Sequence, residues 1–347
     1  MNDEIKERIR EYALNLGFTL AGFIKPGKAF SYPKFERWIE ADRHAGMEYL
    51  ARPDAIYKRS DTSLVFGETG TIIVLAYPIP SSISEDFNTP PVGHGRVAAY
   101  AWGRDYHDVI PAKTAKLADR ITELAGRPIK SKTYTDTGPI LERDLAAQAG
   151  LGWIGKNSCL IHPRIGSFFL LASMHFDLDL APDKETIHDH CGSCTRCIQA
   201  CPTQCILPDR TLDAAKCISY LTIENKGLIP SELTSSLALN VFGCDICQVV
   251  CPWNIRFANQ AIDRDLIPDE PVRYLDMAAL SRITPQEFNE KFKYSPIKRA
   301  KRRGMIRNAI ANLSPDPSHR ELISLSLEDD DAMVRSSACQ ALGMEFE

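Results

Sequence analysis

The chain has 347 residues, a formal net charge of −4 and a hydrophobic content of 44%. This composition is typical of a globular protein with two or three domains, and it excludes a chain that binds nucleic acid through its overall charge. We expect a cytoplasmic protein without a membrane span, because the charged N-terminal helix lacks the apolar core of a signal peptide and eleven cysteines without an export signal indicate a reducing compartment.

Residues 1 to 180 alternate between helical and strand-like patterns, and repeated segments of both kinds predict an α/β layer domain. Helices are predicted at the N-terminus and over 106–125 and 140–149, and strands over 18–23, 71–77, 130–134 and 167–174. The stretch from 78 to 95 is rich in Pro, Ser and Gly, so we expect a loop there, with a lid over a site as one role.

Two cysteine runs follow, CGSCTRCIQACP from 191 to 202 and CDICQVVCP from 244 to 252. The first is the complete C-x2-C-x2-C-x3-C-P pattern of bacterial ferredoxins, whereas the second lacks the middle cysteine. Two [4Fe-4S] clusters need eight thiolates and the runs supply seven, so a further cysteine must complete the set. Cys217 is the favoured candidate because it lies between the runs. Structural zinc is the alternative, but four cysteines within twelve residues followed by proline favour iron–sulfur.

The ferredoxin rule, by which the fourth cysteine of a run ligates the other cluster, divides the eight thiolates into two sets. One set contains Cys191, Cys194, Cys197 and Cys251, and the other contains Cys201, Cys217, Cys244 and Cys247. Cys159, Cys205 and Cys339 are interpreted as packed thiols. Residues 181 to 260 are therefore predicted to be a ferredoxin-like domain in which two clusters transfer single electrons.

Residues 261 to 347 are predicted to be helical, and the patterns over 307–313, 320–327 and 331–342 suggest a HEAT-like hairpin. The whole chain is thus expected to be an α+β multidomain protein. A basic run from Lys291 to Arg307 contains eight Lys or Arg residues and no Asp or Glu. Such a run is often only a solvated helix face, but its density on an acidic chain favours a polyanionic partner.

Four segments carry a resemblance to a known family: AWGRDYHDV at 101–109, TDTGPILERDLAAQAGLGWIGKN at 135–157, CISYLTIENKG at 217–227 and FGCDICQVVCPWN at 242–254. They resemble epoxyqueuosine reductase, the cobalamin-dependent enzyme that completes queuosine at the wobble position of tRNA. The resemblance runs from end to end. Longer members carry further HEAT-like helices at the C-terminus, so tRNA contacts made by such helices are not expected here.

The resemblance implies a base-off cobalamin held in the N-terminal domain beside the clusters, with no protein histidine beneath the cobalt. It also implies reduction of an epoxide on a cyclopentane ring to an alkene and water, and a tRNA anticodon stem-loop bearing epoxyqueuosine as partner. An unidentified electron donor is needed, and nothing in the sequence demands more than a monomer.

Asp136 matches the family's proton donor, and desolvation beside the corrin is expected to raise its pKa and keep it protonated. From its position alone, before Gly138-Pro139 and a helix, a helix cap is the more frequent role of such a residue. The cobalamin contacts carried over from the family are Asp136, Arg59, Asn157, Leu160 and Ser219, each with an ordinary structural alternative. The residues expected to contact tRNA phosphates are Lys226, Lys298, Arg299, Lys301, Arg302 and Arg303.

Two other functions stay open on sequence alone. A reductive dehalogenase-like corrinoid reductase would share cobalamin and both clusters, but this chain has no twin-arginine signal, and such an enzyme has no need of the basic run. A ferredoxin-type electron carrier would need neither a corrin nor about 180 residues of N-terminal domain. The cobalamin content of the purified protein separates the carrier from the other two.

Overall fold

A four-stranded antiparallel sheet in the order β1-β2-β7-β4 organises the N-terminal half of the chain. The computed structural model describes residues 2–83, 89–183, 187–258, 263–268 and 270–346. The strands are β1 Leu20–Ile24, β2 Thr71–Pro78, β3 His94–Val97, β4 Ser131–Tyr134, β5 Trp153–Ile154, β6 Leu160–Ile161, β7 Phe169–Phe176, β8 Asn240–Phe242 and β9 Tyr274–Asp276.

Helices precede, connect and follow these strands along the chain. In the N-terminal half they are α1 Asn2–Asn15, α2 Tyr32–Glu40, α3 Pro53–Ser60, α4 Tyr106–Ala125 and α5 Glu142–Gln148. The cysteine region contains α6 Arg196–Ala200, α7 Ile218–Ile223, α8 Ser231–Thr234, α9 Ile246–Val249 and α10 Pro252–Phe257. The C-terminal part contains α11 Met277–Leu280, α12 Pro285–Lys291, α13 Lys301–Leu313, α14 Arg320–Ser324 and α15 Ala332–Leu342. None of the described helices is long and apolar enough to cross a membrane.

β2 is the centre of the main sheet and is buried along its whole length. Its side chains alternate between two cores, because successive residues of a strand point to opposite faces. Ile73 and Leu75 pack in the larger core with α1 and α4, and Val74 and Ala76 pack in the smaller core with α5. Both faces being covered explains why the sequence of β2 is apolar throughout instead of alternating.

The helix predicted over 106–125 is confirmed as α4, and its ends have identifiable signals. Asp105 caps the N-terminus by accepting a hydrogen bond from the His107 backbone N–H at 3.0 Å. Gly126 ends the helix in the left-handed conformation, with φ of 64°. The prediction of a layered domain of helices and strands also holds, but the main sheet is antiparallel throughout its described strands.

A second sheet, in the order β8-β3-β9, contains one strand from each of the three predicted segments, 1–180, 181–260 and 261–347. β3 comes from the N-terminal part, β8 directly precedes the second cysteine run, and β9 belongs to the C-terminal part. The larger core likewise runs from Ile9 to Leu342. The loop predicted over 78–95 is described only in part, since 84–88 lie outside the described residues, and its last residues begin β3.

The predicted C-terminal helices are present as α13, α14 and α15, and α13 packs against α15. Their interpretation as a HEAT-like hairpin stays a prediction. α13 also packs against α7 and β8, so the C-terminal helices are in direct contact with the cysteine region.

Candidate functional site

The members of the first predicted cysteine set lie together. Burial raises the pKa of the Cys197 thiol, and the neighbouring thiols of Cys191, Cys251 and Cys194 raise it further. The indole Nε1 of Trp153 donates to Cys191 Sγ at 3.4 Å. Hydrogen bonds and apolar cover of this kind stabilise a thiolate ligand and tune the potential of an iron–sulfur cluster.

The second predicted set is also brought together. Burial raises the pKa of the Cys244 thiol, and the charges of Cys217 and Cys201 act in the same direction. Cys247 lies near Cys244 and Cys217, and its thiol pKa is raised first by a hydrogen bond with Cys159. The donor chemistry, eight thiols in two groups of four, therefore fits two [4Fe-4S] clusters.

Two cysteines outside these sets also reach the second group. Cys205 Sγ lies 3.5 Å from Cys201 Sγ, and Cys159 contacts Cys247. Cys205 is 4% exposed, as expected of a packed thiol, but its neighbours are candidate ligands and not core residues. Within the described residues no three His, Cys, Asp or Glu side chains converge as ligands of a single metal ion.

Asp136 lies in the loop between β4 and α5, and its carboxylate is 65% exposed. The hydroxyl of Tyr106 donates to Asp136 Oδ2 at 3.1 Å. His107 Nε2 lies 3.5 Å from the same oxygen, just beyond hydrogen-bond geometry. On its other side, His107 Nδ1 donates to Asp105 Oδ1 at 2.8 Å. Asp105, His107 and Asp136 therefore lie in a row that ends at the exposed Asp136 carboxylate.

The proton in this row lies on the imidazole. The hydrogen bond to Asp105 and the nearby Asp136 carboxylate raise the pKa of His107 to about 9. The nearby His107 in turn lowers the pKa of Asp136. Without a corrin beside it, Asp136 therefore has a lowered pKa: desolvation by its neighbours acts to raise the pKa, but the histidine from α4 has the larger effect. The rise expected beside a bound corrin stays a prediction.

Several predicted residues lie near one another between Asp136 and the second cysteine group. Arg143, on α5, donates from Nη1 to the Ser158 carbonyl at 2.6 Å, and its charge also lowers the pKa of Asp136. Asn157, one residue before Ser158, donates from Nδ2 to the Cys247 carbonyl at 3.4 Å. Arg143 and the 157–159 loop thus connect the acid to the second cysteine group.

The other residues expected to bind cobalamin occupy different environments. Arg59 is buried at the end of α3, and its guanidinium lies over the Phe35 ring at 5.6 Å. Leu160, on β6, is buried in the smaller core. Ser219 is half-buried near the start of α7, two residues after the Cys217 cap. Arg59 interacts electrostatically with Glu142, whose carboxylate accepts the Asp136 backbone N–H, so Arg59 lies near the Asp136 loop.

The residues expected to bind tRNA come from two distant parts of the chain, which meet at one ion pair. We refer to Lys226, Lys298, Arg299, Lys301 and Arg303 as the basic surface. Arg299 pairs with Glu224 through two contacts of 2.9 and 3.1 Å, which brings the basic run next to the exposed Lys226. Lys298 and Lys301 are exposed, and Arg303 is half-buried. Arg302 is 20% exposed and is held by Asp329 and the Ile283 carbonyl.

The interpretation of the basic run as a phosphate-contacting stretch is wrong for its last member. Arg307 is 1% exposed. Its guanidinium donates to the carbonyls of Asn225, Gly227 and Leu221 at 2.6, 2.7 and 2.7 Å. Burial lowers its pKa to about 10, which still leaves it charged at neutral pH. Arg307 fixes the loop that carries Lys226 and does not face a partner.

Sequence reasoning missed four side chains that complete the site: His107, Glu142, Arg143 and Tyr49. The first three stand inside the resembling segments, but their roles depend on contacts between separate elements. His107 stands in a segment that begins like the D-x-H-x-x-G pattern that ligates cobalamin, but Ile110 replaces its glycine. Tyr49 is 44% exposed and interacts electrostatically with Glu224, Arg299 and Asp136, so it lies near both the basic run and the acid.

Two family models match the chain, one in the cysteine region and one in the N-terminal half. The family model described as 4Fe-4S double cluster binding domain matches residues 190–254. The model described as Epoxyqueuosine reductase QueG, DUF1730, matches residues 59–137. The curated epoxyqueuosine reductase of Pseudomonas aeruginosa is 36% identical over 317 residues, which cover 90% of this chain and 86% of that protein.

Solved structures resemble the whole chain. A crystal structure of epoxyqueuosine reductase with an epoxyqueuosine-modified stem-loop of tRNA-Tyr has a TM-score of 0.86 and 30% identity, covering 99% of this chain and 90% of that one. In a structure of the Bacillus subtilis reductase, a catalytic loop named for its aspartate has swung out of the active site. That structure has a TM-score of 0.85 and 30% identity, covering 99% of this chain and 91% of that one.

Proposed function

This chain belongs to the epoxyqueuosine reductase family of oxidoreductases, and we propose that it reduces epoxyqueuosine to queuosine at the wobble position of tRNA. The reaction converts an epoxide, two electrons and two protons into an alkene and water. Both carbon–oxygen bonds of the epoxide break, and its oxygen leaves as water. The protein must therefore supply electrons, protons and a means to hold the RNA.

The cofactors we propose are two [4Fe-4S] clusters and base-off cobalamin. When bound, the clusters would supply single electrons from an external donor to cobalamin, which would supply the two-electron reductant that the epoxide needs. The first cluster is held by Cys191, Cys194, Cys197 and Cys251, and the second by Cys201, Cys217, Cys244 and Cys247. The residues that hold cobalamin are Arg59, Asp136, Asn157, Leu160 and Ser219, and the polar groups of Arg59, Asn157 and Ser219 suit its amide side chains.

Asp136 is the proposed proton donor to the epoxide oxygen, and His107 resupplies it. In the substrate-free chain the imidazolium holds the proton 3.5 Å from the carboxylate. Substrate and cofactor would exclude water from the exposed carboxylate, which raises the free energy of its ionised form. The shared proton then moves from His107 Nε2 to Asp136 Oδ2, and Asp105 stabilises the histidine through its Nδ1. An epoxide oxygen leaves readily only once it is protonated.

One observation carries this proposal: the acid and the second cysteine group are connected through Arg143 and Cys159. Arg143 lies close enough to lower the pKa values of both Asp136 and Cys159, and Cys159 contacts Cys247. Electrons that reach the second group therefore arrive beside the residue that would donate protons. An electron carrier has no use for an acid placed in this way.

The tRNA would lie across the basic surface, with the modified base beside Asp136. Lys226, Lys298, Arg299, Lys301 and Arg303 form that surface, and Tyr49 interacts electrostatically with both Arg299 and Asp136. Phosphate contacts would set the position of the anticodon stem-loop, and the base would be recognised beside Asp136. Arg302 supports the surface through its pair with Asp329.

Anaerobic reconstitution tests the proposal. The protein is loaded with iron, sulfide and cobalamin, and product is measured on tRNA bearing the epoxide with a chemical reductant as electron source. We expect queuosine from the loaded wild-type protein and none from protein loaded with clusters alone. A protein that binds both cofactors and the tRNA but leaves the epoxide intact would disprove the proposed reaction.

A further inference from the structure

The Asp136 loop has a strained backbone that needs a partner to hold it. Asp136 has φ of 60°, in the left-handed region that non-glycine residues rarely occupy. Asp tolerates this conformation better than most residues, but the loop must still be held by its surroundings. On one side Thr135 is anchored, since its Oγ1 donates to the Leu171 carbonyl of β7 at 2.8 Å.

Glu142 holds the other side. The Asp136 backbone N–H donates to Glu142 Oε1 at 2.8 Å. Glu142 is the first residue of α5, and it is half-buried behind the loop. A carboxylate that accepts a backbone N–H makes a stronger hydrogen bond than a neutral acceptor does. The contact fixes the residue whose backbone is strained, and it leaves the Asp136 carboxylate turned toward Tyr106 and His107.

The surroundings make the charge of Glu142 sensitive to pH near neutrality. Burial and the Asp136 carboxylate raise the pKa of Glu142 to about 7, whereas the Asp136 N–H, Arg143 and His107 oppose that shift. Arg59 is a further charged group that interacts with it. Because the pKa is raised, Glu142 is ionised above about pH 7 and protonated below it.

We propose that Glu142 is a positioning residue that holds the Asp136 loop in its active-site position through the Asp136 backbone N–H. The proposal rests on the proposed function, because it presumes that Asp136 donates the proton. In the Bacillus subtilis reductase, the aspartate-bearing catalytic loop has swung out of the active site. In this chain, loss of the carboxylate removes a described contact that keeps the left-handed residue in place.

The loop itself reports on the test, independently of catalysis. Hydrogen–deuterium exchange of the segment containing Asp136 is measured in wild type, Glu142→Ala and Glu142→Gln. We expect the Asp136 amide to exchange about tenfold faster or more in Glu142→Ala, because the hydrogen bond to a charged acceptor is lost. The Gln variant keeps an acceptor oxygen and should restore most of the protection. In wild type, exchange corrected for its intrinsic pH dependence should increase below about pH 7, and in Glu142→Gln it should not.

Turnover separates positioning from folding. When cluster and cobalamin contents equal those of wild type, Glu142→Ala should lower kcat about tenfold and change KM little. In Glu142→Gln, kcat should return toward the wild-type value. Glu123→Ala, on the exposed end of α4, is the matched control and should leave both quantities unchanged. Unchanged exchange and kcat in Glu142→Ala would overturn the proposal. If the Ala variant does not fold, a wild-type-like pH dependence of exchange in Glu142→Gln overturns it instead. If wild type itself lacks turnover, the proposed function fails, and exchange still decides whether Glu142 holds the loop.

Discussion

The two cysteine groups and the Asp136 site are built in opposite ways. The cysteines come mainly from two short runs in which fixed spacing places the thiols, and the Cys191 run alone supplies three members of one group. The acid site is assembled from α4, the loop after β4 and α5, and the contacts of Asp136 join these separate elements. Metal ligation can therefore be predicted from a motif, whereas proton chemistry depends on which elements meet.

The largest expected effect tests the cysteine side of this comparison. Cys217→Ala should lose about four of about eight iron atoms and all turnover, because a cubane needs its fourth thiolate. Cys205→Ala, which removes a neighbouring thiol of the same group, should keep its iron and most of its activity. Iron and sulfide analysis with electron paramagnetic resonance measures both. Full iron in Cys217→Ala would show that Cys205 can replace it and that spacing had selected the wrong ligand.

On the acid side, Asp136→Asn should reduce turnover by about 10²- to 10⁴-fold, the usual contribution of a positioned acid. Iron and cobalamin contents should match wild type, because the amide is nearly isosteric with the carboxyl. Single-turnover assays on epoxide-bearing tRNA measure the effect. An Asn variant as active as wild type would remove Asp136 from the mechanism.

A smaller effect is expected when His107 loses its proton. Its pKa is raised above that of a free histidine, so the protonated form persists at neutral pH and disappears as pH rises through about 9. Turnover of wild type should therefore fall above that pH. His107→Gln should lower kcat on the order of tenfold and lose the alkaline fall. A pH profile that is the same in both proteins would show that the proton comes from another group.

The smallest effect concerns the basic surface. Charge reversal of the exposed Lys298 and Lys301 should weaken tRNA binding and reduce the slope of log affinity against log salt by about 1 to 2. Lys116→Glu, on the exposed side of α4, is the matched control. Arg302→Glu should instead lower Tm, because it breaks the pair with Asp329. Equal salt slopes in wild type and the double variant would make the run a solvated helix face.

Local signals predicted much of the architecture. α4 begins and ends at Tyr106 and Ala125 as predicted, because a long periodic helix has a capping Asp before it and a Gly after it. β2 was recognised as a buried strand from its continuous apolar sequence. The β8-β3-β9 sheet was not predicted, because its short strands pair across large sequence separations.

The unpredicted parts of the site have the same physical origin. The effect of His107 on the pKa of Asp136 was not predicted, because the histidine reaches the acid from another element. Arg307 was counted as a surface charge because a cation usually needs solvent or a carboxylate. Here its guanidinium is satisfied by backbone carbonyls from a separate segment. Neither contact can be recognised from the spacing of neighbouring residues in the sequence.

Arg307 also imposes an order on biogenesis. The carbonyls of Leu221, Asn225 and Gly227 acquire this partner only after the ribosome has synthesised α13, since Arg307 follows them in the chain. Until then the segment after Cys217 lacks its buried cation. We therefore expect this segment to reach its native fold only after α13 has been made, and a fragment that ends before α13 to take up less iron at the second cysteine group than the whole chain does.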